Sequence, residues 1–156
     1  MAILLFGIQL GGSDATSSSR SKYGGVTHIY EDYTTHFFTL GSVAEGQAEI
    51  TVIKSQKKMI FDPKYNSHIQ HFLNENYDDS FFESNLLVLI YLETWAQKHN
   101  SELNIALGDE KNTVTLYSKK LSGPMLCMMN PFLFVIELNS DICRSQNFVL
   151  NRIMID

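Results

Sequence analysis

The chain has 156 residues, of which 44% are hydrophobic and 19% charged, and its formal net charge is −5. This composition excludes an intrinsically disordered chain, which would be rich in charge and poor in aromatic residues. It also argues against non-specific binding to nucleic acid, which requires clustered lysine and arginine. The length suits one globular domain spanning residues 1–156, large enough to fold without metals or disulfides.

The cysteines and the apolar segments bear on the cellular compartment. Cys127 and Cys143 are the only cysteines, too few for a disulfide framework and not spaced as a zinc-binding pair. The apolar start, residues 1–12, has no basic residue before it and no cleavage site typical of a signal peptide. Residues 86–92 form the most apolar later stretch and are too short to span a membrane. We therefore expect a cytoplasmic protein without a membrane partner.

The first third of the chain has the residue pattern of β-strands. Residues 2–10 form a short apolar run with β-branched and aromatic members, which indicates a buried strand. Residues 26–40 are rich in threonine, tyrosine and phenylalanine and predict a long strand. Residues 46–54 and 57–62 continue the β pattern. Together these segments predict an antiparallel meander.

Glycine and serine dominate residues 11–25, between the first two predicted strands. The glycines do not have the spacing of a phosphate-binding G-x-x-x-x-G-K-[ST] loop, and a strand rather than a helix follows them. We therefore interpret residues 11–25 as a surface loop. Because the loop is longer than most hairpin connections, a contact with a ligand stays open as an alternative.

The middle of the chain predicts two helices. Asp62 and Pro63 form a helix start, and the spacing of Ile69 and Phe72 gives an apolar face, so the first helix should end near residue 76. A second start follows at Ser80, with Glu83 three residues later as in a capping box, directly before the apolar run. The second helix should end near residues 99–100.

The last third returns to β-strands, and this completes the predicted fold. Residues 103–117 contain a polar turn between two short runs and predict a hairpin. Residues 132–138 and 147–156 predict two further strands. Strands, two helices and strands again indicate an α+β fold, in which a mostly antiparallel sheet has two central helices packed on one face.

Histidines are the candidates for a metal site, and Cys143, beside Arg144, is the more plausible reactive thiol of the two cysteines. His68 and His71 share one face of the first helix, and His28 and His36 lie on the second strand. No H-E-x-x-H or G-x-S-x-G motif accompanies them. The sequence therefore indicates no catalytic residue, no metal site and no cofactor, and it favours surface or capping roles for the histidines.

Residues 74–83, NENYDDSFFE, combine carboxylates with aromatic side chains. Carboxylates around aromatic anchors suit a basic protein partner, because opposite charge speeds encounter and aromatic residues are enriched in interfaces. The alternative is structural: the carboxylates would favour the positive end of the second helix, and the phenylalanines would pack on the sheet. The predicted partner-binding residues are Glu75, Tyr77, Asp78 and Asp79.

Two functions from different classes remain. The first is a non-catalytic protein-binding module, of the type of an acidic toxin-immunity protein that occludes the active site of a basic partner. The second is a small enzyme or ligand-binding domain that uses the 11–25 loop with the strand histidines. The absence of an ordered catalytic motif favours the first, and the oligomeric state stays open.

Overall fold

A computed structural model of the chain describes residues 8–10, 15–40, 48–59, 67–94, 102–119 and 130–155. Within them two β-sheets and one α-helix form three layers. The helix, α1, is Ser67–Asn76, and two single 3-10 turns lie at Gln56–Lys58 and Phe81–Glu83. The strands are β1 (Ile8–Leu10), β2 (Ser17–Arg20), β3 (Val26–Ile29), β4 (Tyr33–Thr39), β5 (Glu49–Ile53), β6 (Asn85–Thr94), β7 (Glu102–Leu107), β8 (Asn112–Lys119), β9 (Asn130–Asn139) and β10 (Phe148–Ile155).

The six-stranded sheet is the middle layer and has the strand order β2-β3-β4-β9-β6-β5. All its neighbouring strands are antiparallel. The four-stranded sheet has the order β1-β7-β8-β10, and only its β8–β10 pair is parallel. The prediction of mostly antiparallel pairing is therefore confirmed. The predicted meander of the first strands is wrong, because β1 lies in the other sheet and β9 and β6 separate β4 from β5.

One apolar core fills the space between the two sheets. Alternate side chains of a strand point to opposite faces, so each central strand sends every second residue into this core. The buried residues are Tyr33, Leu86, Val88, Ile90, Leu92, Leu103, Ile105, Leu107, Val114, Leu116, Phe132, Phe134, Ile136 and Leu138.

A second apolar core lies on the other face of the six-stranded sheet, under α1. The helix buries Ile69, Phe72 and Leu73, whose spacing of three and four residues forms one face. This confirms the predicted apolar face of the first helix and its end at residue 76, whereas its predicted start at residues 62–63 lies outside the described residues. The remaining buried members are Phe38, Leu40, Ile53, Met59, Tyr77, Leu87, Leu89, Tyr91, Leu133 and Val135.

The predicted second helix is wrong, because residues 85–94 form strand β6. Its even-numbered apolar residues enter the core between the sheets, and its odd-numbered ones enter the core under α1. A strand buried on both faces is a continuous apolar run without alternation, and periodicity cannot distinguish it from a buried helix. The described chain is consequently mostly β, with one helix of seven residues or more, and is not an α+β fold with two central helices.

The predicted capping box at Ser80 is also wrong. Ser80 has helical backbone angles, and its side chain caps no backbone N–H group. Its hydroxyl donates instead to Oδ1 of Asp78 at 2.6 Å, and the same oxygen accepts the Phe81 N–H at 3.0 Å. Asp78 therefore stabilises the start of a single 3-10 turn, a role that short polar side chains commonly fill.

The glycine- and serine-rich segment is partly a hairpin rather than a loop. β2 pairs with β3 from Ser17 to Arg20, and a tight turn connects the two strands. Gly24 in this turn has a φ of +84°, which a residue with a Cβ atom rarely adopts. A Cβ atom on Gly25 would lie 2.5 Å from the Phe38 ring. Residues 11–14 lie outside the described residues.

Several other strand predictions hold with changed bounds. The predicted strand over residues 26–40 is the hairpin β3–β4, and the predicted hairpin over residues 103–117 is confirmed as β7–β8. The strand predictions at 132–138 and 147–156 are confirmed as β9 and β10. The predicted strand over residues 57–62 is wrong in its described part, 57–59, which contains the end of a 3-10 turn and no strand. Among the described residues no helix is long and apolar enough to cross a membrane.

Candidate functional site

Four polar side chains form a hydrogen-bonded chain, which we call the polar relay, on the α1 face of the six-stranded sheet. Thr27 Oγ1 lies 2.8 Å from His36 Nδ1, across the β3–β4 pair. His36 Nε2 lies 2.7 Å from Oε1 of Glu137 on β9. The Tyr77 hydroxyl donates to the same oxygen at 2.7 Å. The relay therefore connects three strands to the segment that follows α1.

The relay is mostly closed to solvent. His36 is buried, and the Phe72 ring lies edge-on to its imidazole at 4.8 Å. When Nε2–H donates to the Glu137 carboxylate, Nδ1 is left to accept the Thr27 hydroxyl proton. This order of hydroxyl, imidazole and carboxylate is the one that nucleophilic hydrolases use. The same bonds also satisfy polar groups in the core, as buried polar groups require.

Tyr77 belongs to the core and not to the surface where the partner-binding prediction needs it. Its side chain is 1% exposed and packs against Phe72 and Phe81. Burial, followed by the charge and the hydrogen bond of Glu137, holds the pKa of Tyr77 well above its usual value. Tyr77 thus anchors the acidic segment from below and is unavailable as an exposed anchor.

Glu75 is exposed but already paired. Its Oε2 lies 3.0 Å from Lys22 Nζ, with both side chains more than half exposed, and it accepts a hydrogen bond from the Tyr23 hydroxyl. The Tyr23 hydrogen bond and then that of Lys22 lower the pKa of Glu75. This contact fixes the end of α1 to the β2–β3 turn, and the cation offsets part of the negative charge of Glu75.

Asp78, Asp79 and Glu83 are exposed together around the 3-10 turn that holds Phe81 and Phe82. The Ser80 hydrogen bond is the largest cause that lowers the pKa of Asp78. Asp79 and Glu83 make no side-chain hydrogen bond or ion pair with the described residues. The two phenylalanine rings are half-buried and meet edge to face at 5.1 Å. We call Glu75, Asp78, Asp79 and Glu83 the acidic patch.

The four candidate histidines do not come together. His28 lies next to Thr27 in β3, so it points to the opposite face of the sheet from His36. His68 and His71 lie on the exposed side of α1. Within the described ranges no group of three or more histidine, cysteine, aspartate or glutamate side chains could hold a metal ion.

A cleft of about 430 Å³ lies beside the β2–β3 turn. Its walls are formed by Arg20 at the end of β2 and by Ser21, Lys22 and two glycines of the turn, and Phe37 contributes an apolar surface. None of the strand histidines lines this cleft. The cleft therefore does not join the described part of the 11–25 segment to the strand histidines, although Ser18 of this segment lies opposite His28 in the β2–β3 pair.

Sequence reasoning missed Glu137, which accepts two hydrogen bonds in the relay. A signal was present, because Glu137 is the one charged residue within the apolar run FLFVIEL. A charge inside a buried strand needs a partner. The identity of that partner could not be read from the sequence, since Tyr77 and His36 are 60 and 101 residues away.

Comparison of the chain with known proteins found no matching protein-family model, no matching curated protein and no matching solved structure.

Proposed function

We propose that the chain is a non-catalytic protein-binding module that contacts a basic partner through the acidic patch. The observation that carries this proposal is the pair of carboxylates, Asp79 and Glu83, that flanks the half-buried rings of Phe81 and Phe82 without any partner in the described part of the chain. Interfaces commonly combine an apolar aromatic centre with a polar rim. A patch of this kind attracts a basic surface and then holds it by aromatic contact.

The acidic patch is held in place by contacts with the rest of the protein, and this supports the proposal. Tyr77 fixes the segment to the core from one side, and Asp78 holds the 3-10 turn through two hydrogen bonds. Glu75 is fixed to the β2–β3 turn by Lys22 and Tyr23. A surface that is ordered before binding loses less conformational entropy when its partner arrives. The patch therefore suits rigid docking rather than folding upon binding.

The proposal extends to the type of partner and to the compartment. A chain of net charge −5 is suited to neutralise a basic protein, and an inhibitor that occludes a basic active site, as toxin-immunity proteins do, fits this size and charge. Cytoplasmic location is part of the same proposal. It is supported by the cysteine count, because two cysteines are too few for the disulfide framework of a small secreted protein.

The test compares charge reversal at two exposed glutamates, one inside the acidic patch and one far from it in the fold. Glu83 belongs to the acidic patch, whereas Glu110 lies in the β7–β8 turn of the other sheet. Wild type, Glu83→Lys and Glu110→Lys are immobilised, and proteins bound from the native host's lysate are quantified by mass spectrometry. We expect a basic protein to be retained by wild type and Glu110→Lys but lost from Glu83→Lys. Equal retention by all three would remove the patch from the interface.

A second candidate function, binding of a small anionic ligand, is favoured by the cleft beside the β2–β3 turn. Arg20 and Lys22 place two cations at its walls, next to the backbone of Gly24 and Gly25. Calorimetry with inorganic phosphate and with ATP tests this function. Saturable binding that Arg20→Ala abolishes and Arg152→Ala preserves would favour the cleft over the acidic patch.

A further inference from the structure

The six-stranded sheet extends beyond the four-stranded sheet that covers one of its faces. Among the described residues, none from β2 or β3 belongs to the core between the sheets, and Phe37 of β4 is half-buried at the border of that core. The cleft of about 430 Å³ beside the β2–β3 turn lies on this uncovered part of the sheet. Its volume falls in the range of small-ligand sites, about 300–1,000 Å³.

Three side chains form a row along the cleft. The register places Arg20 of β2 opposite Val26 of β3, and it places Val26 opposite Phe37 of β4. Directly opposite residues of antiparallel strands share a face. The row therefore runs from a guanidinium group over an aliphatic side chain to an aromatic ring, and all three residues line the cleft. Because neighbouring strands lie about 4.8 Å apart, the Cα atoms at the two ends are separated by roughly 10 Å.

Arg20 is the cation of the cleft that remains available to a ligand. Lys22 also lines the cleft, but its Nζ lies 3.0 Å from Oε2 of Glu75 on the α1 side. Arg20 is exposed and makes no side-chain hydrogen bond or ion pair with the described residues. A guanidinium group binds phosphate through two parallel hydrogen bonds. Arg20 therefore favours an anion of the phosphate type at this end of the row.

Phe37 supplies a fixed aromatic surface at the other end of the row. Its ring packs against the rings of Phe132 and Phe134, with centroids 5.2 and 4.9 Å away. These contacts hold the ring in place before a ligand arrives, so that stacking on it costs little side-chain entropy. A planar ring gains affinity by stacking on an aromatic side chain whatever its hydrogen-bonding pattern. This end of the row therefore favours a ligand with a planar ring.

We propose that the cleft binds a phosphate monoester that carries a planar ring and has the size of a mononucleotide. The phosphate contacts Arg20, the ring stacks on Phe37, and Val26 lies under the group that joins them. The separation between the two ends favours such a joining group over a phosphate attached directly to the ring. The proposal rests on the second candidate function, binding of a small anionic ligand, and names the class of that ligand. The acidic patch follows α1 on the opposite face of the sheet and stays free.

NMR titration with three ligands tests the two ends of the row separately. Inorganic phosphate supplies the anion alone, ribose 5-phosphate adds the sugar, and AMP adds the planar ring. We expect AMP to bind about tenfold or more tightly than ribose 5-phosphate, as stacking on an aromatic side chain provides. The amide shifts that AMP causes should be concentrated at the residues that line the cleft, 20–22, 24–26, 37 and 39.

Two variants assign the contributions of the two ends. Phe37→Leu keeps an apolar side chain but removes the ring, so it should bind AMP no more tightly than ribose 5-phosphate. Arg20→Ala should weaken the binding of all three ligands, whereas Arg152→Ala in β10 of the other sheet should not. Circular dichroism checks the fold of each variant. The comparison of AMP with ribose 5-phosphate in wild type needs no substitution, so it holds even if Phe37→Leu disturbs the core.

The outcomes separate this proposal from the function on which it rests. Equal affinity of wild type for AMP and ribose 5-phosphate would overturn the ring-carrying ligand and leave the anionic ligand in place. No saturable binding of any of the three ligands would overturn both. AMP binding that Arg20→Ala and Phe37→Leu leave unchanged would also overturn the proposal, because the ligand would then lie elsewhere.

Discussion

Two strands of the molecule, β6 and β10, are both long and rich in aliphatic residues, yet they lie in opposite environments. β6 is flanked by β9 and β5, and residues 86–92 are all buried. β10 ends the four-stranded sheet and leaves Val149, Ile153 and Ile155 exposed. Composition is therefore a poor guide to burial in this fold. The place of a strand in the sheet decides whether its aliphatic side chains form core or surface.

The comparison separates apolar side chains that are buried when the monomer folds from those that remain exposed. Side chains of β6 lose their water contact when the monomer folds, and they stabilise the fold by about 25 cal/mol for each Å² of area buried. The outer side chains of β10 stay in contact with water in the monomer and contribute little to its stability. The same residue types therefore stabilise the monomer in β6 and stay partly hydrated in β10.

The largest expected effect comes from a matched pair of substitutions in these two strands. Ile90 is 1% exposed and Ile153 is 39% exposed. Ile90→Ala should lower the free energy of unfolding by about 2–5 kcal/mol, because it removes buried methyl groups and leaves a cavity. Ile153→Ala should change it by about 0.5 kcal/mol or less in the dilute protein. Urea denaturation at low protein concentration measures both.

Equal losses of unfolding free energy in the two variants would contradict the comparison. A loss in Ile90→Ala several times larger than that in Ile153→Ala would sharpen it, because only the burial of the two isoleucines differs in this way.

A smaller effect is expected from Tyr77→Phe, which tests the polar relay on the α1 face of the six-stranded sheet. The substitution keeps the ring in the core but removes one of the two hydrogen bonds to Oε1 of Glu137. We expect a loss of about 1–3 kcal/mol, since hydrogen bonds to charged groups are among the stronger ones. Thermal unfolding measures it, and an unchanged melting temperature would show that the hydroxyl contributes nothing.

The same variant has a pH signature. Because the folded protein holds the pKa of Tyr77 above its usual value, the contribution of the neutral hydroxyl is complete below about pH 10. It is lost as the pH rises further towards the raised pKa. Wild type should therefore lose stability above this pH more steeply than Tyr77→Phe. Burial also raises the pKa of Tyr33, so the variant keeps part of the alkaline loss.

The sequence predicted those parts of the fold in which a local pattern decides the structure. The β7–β8 hairpin alternates around a polar turn, and α1 repeats apolar residues at helical spacing, so both were recognised. β6 was misinterpreted because a strand buried on both faces has no alternation to detect. The parallel pairing of β10 with β8 could not be predicted, since 28 residues separate the end of β8 from the start of β10.

The sequence grouped the carboxylates and the aromatic residues of the candidate site correctly in the chain but could not show which of them are exposed. Asp78, Asp79 and Glu83 are exposed, as expected of carboxylates in a turn. Tyr77 was grouped with them by its position in the sequence. Its environment is set by Glu137, 60 residues away, which no local pattern reveals.

Amide hydrogen exchange tests most directly whether the place of a strand in its sheet decides the environment of its residues. Amides of β6 should be strongly protected, because both edges of β6 are paired within the chain. The β10 amides that point away from β8 should exchange more quickly, because no strand of the described residues pairs with that edge. Protection of these β10 amides equal to that of the β6 amides would contradict the account.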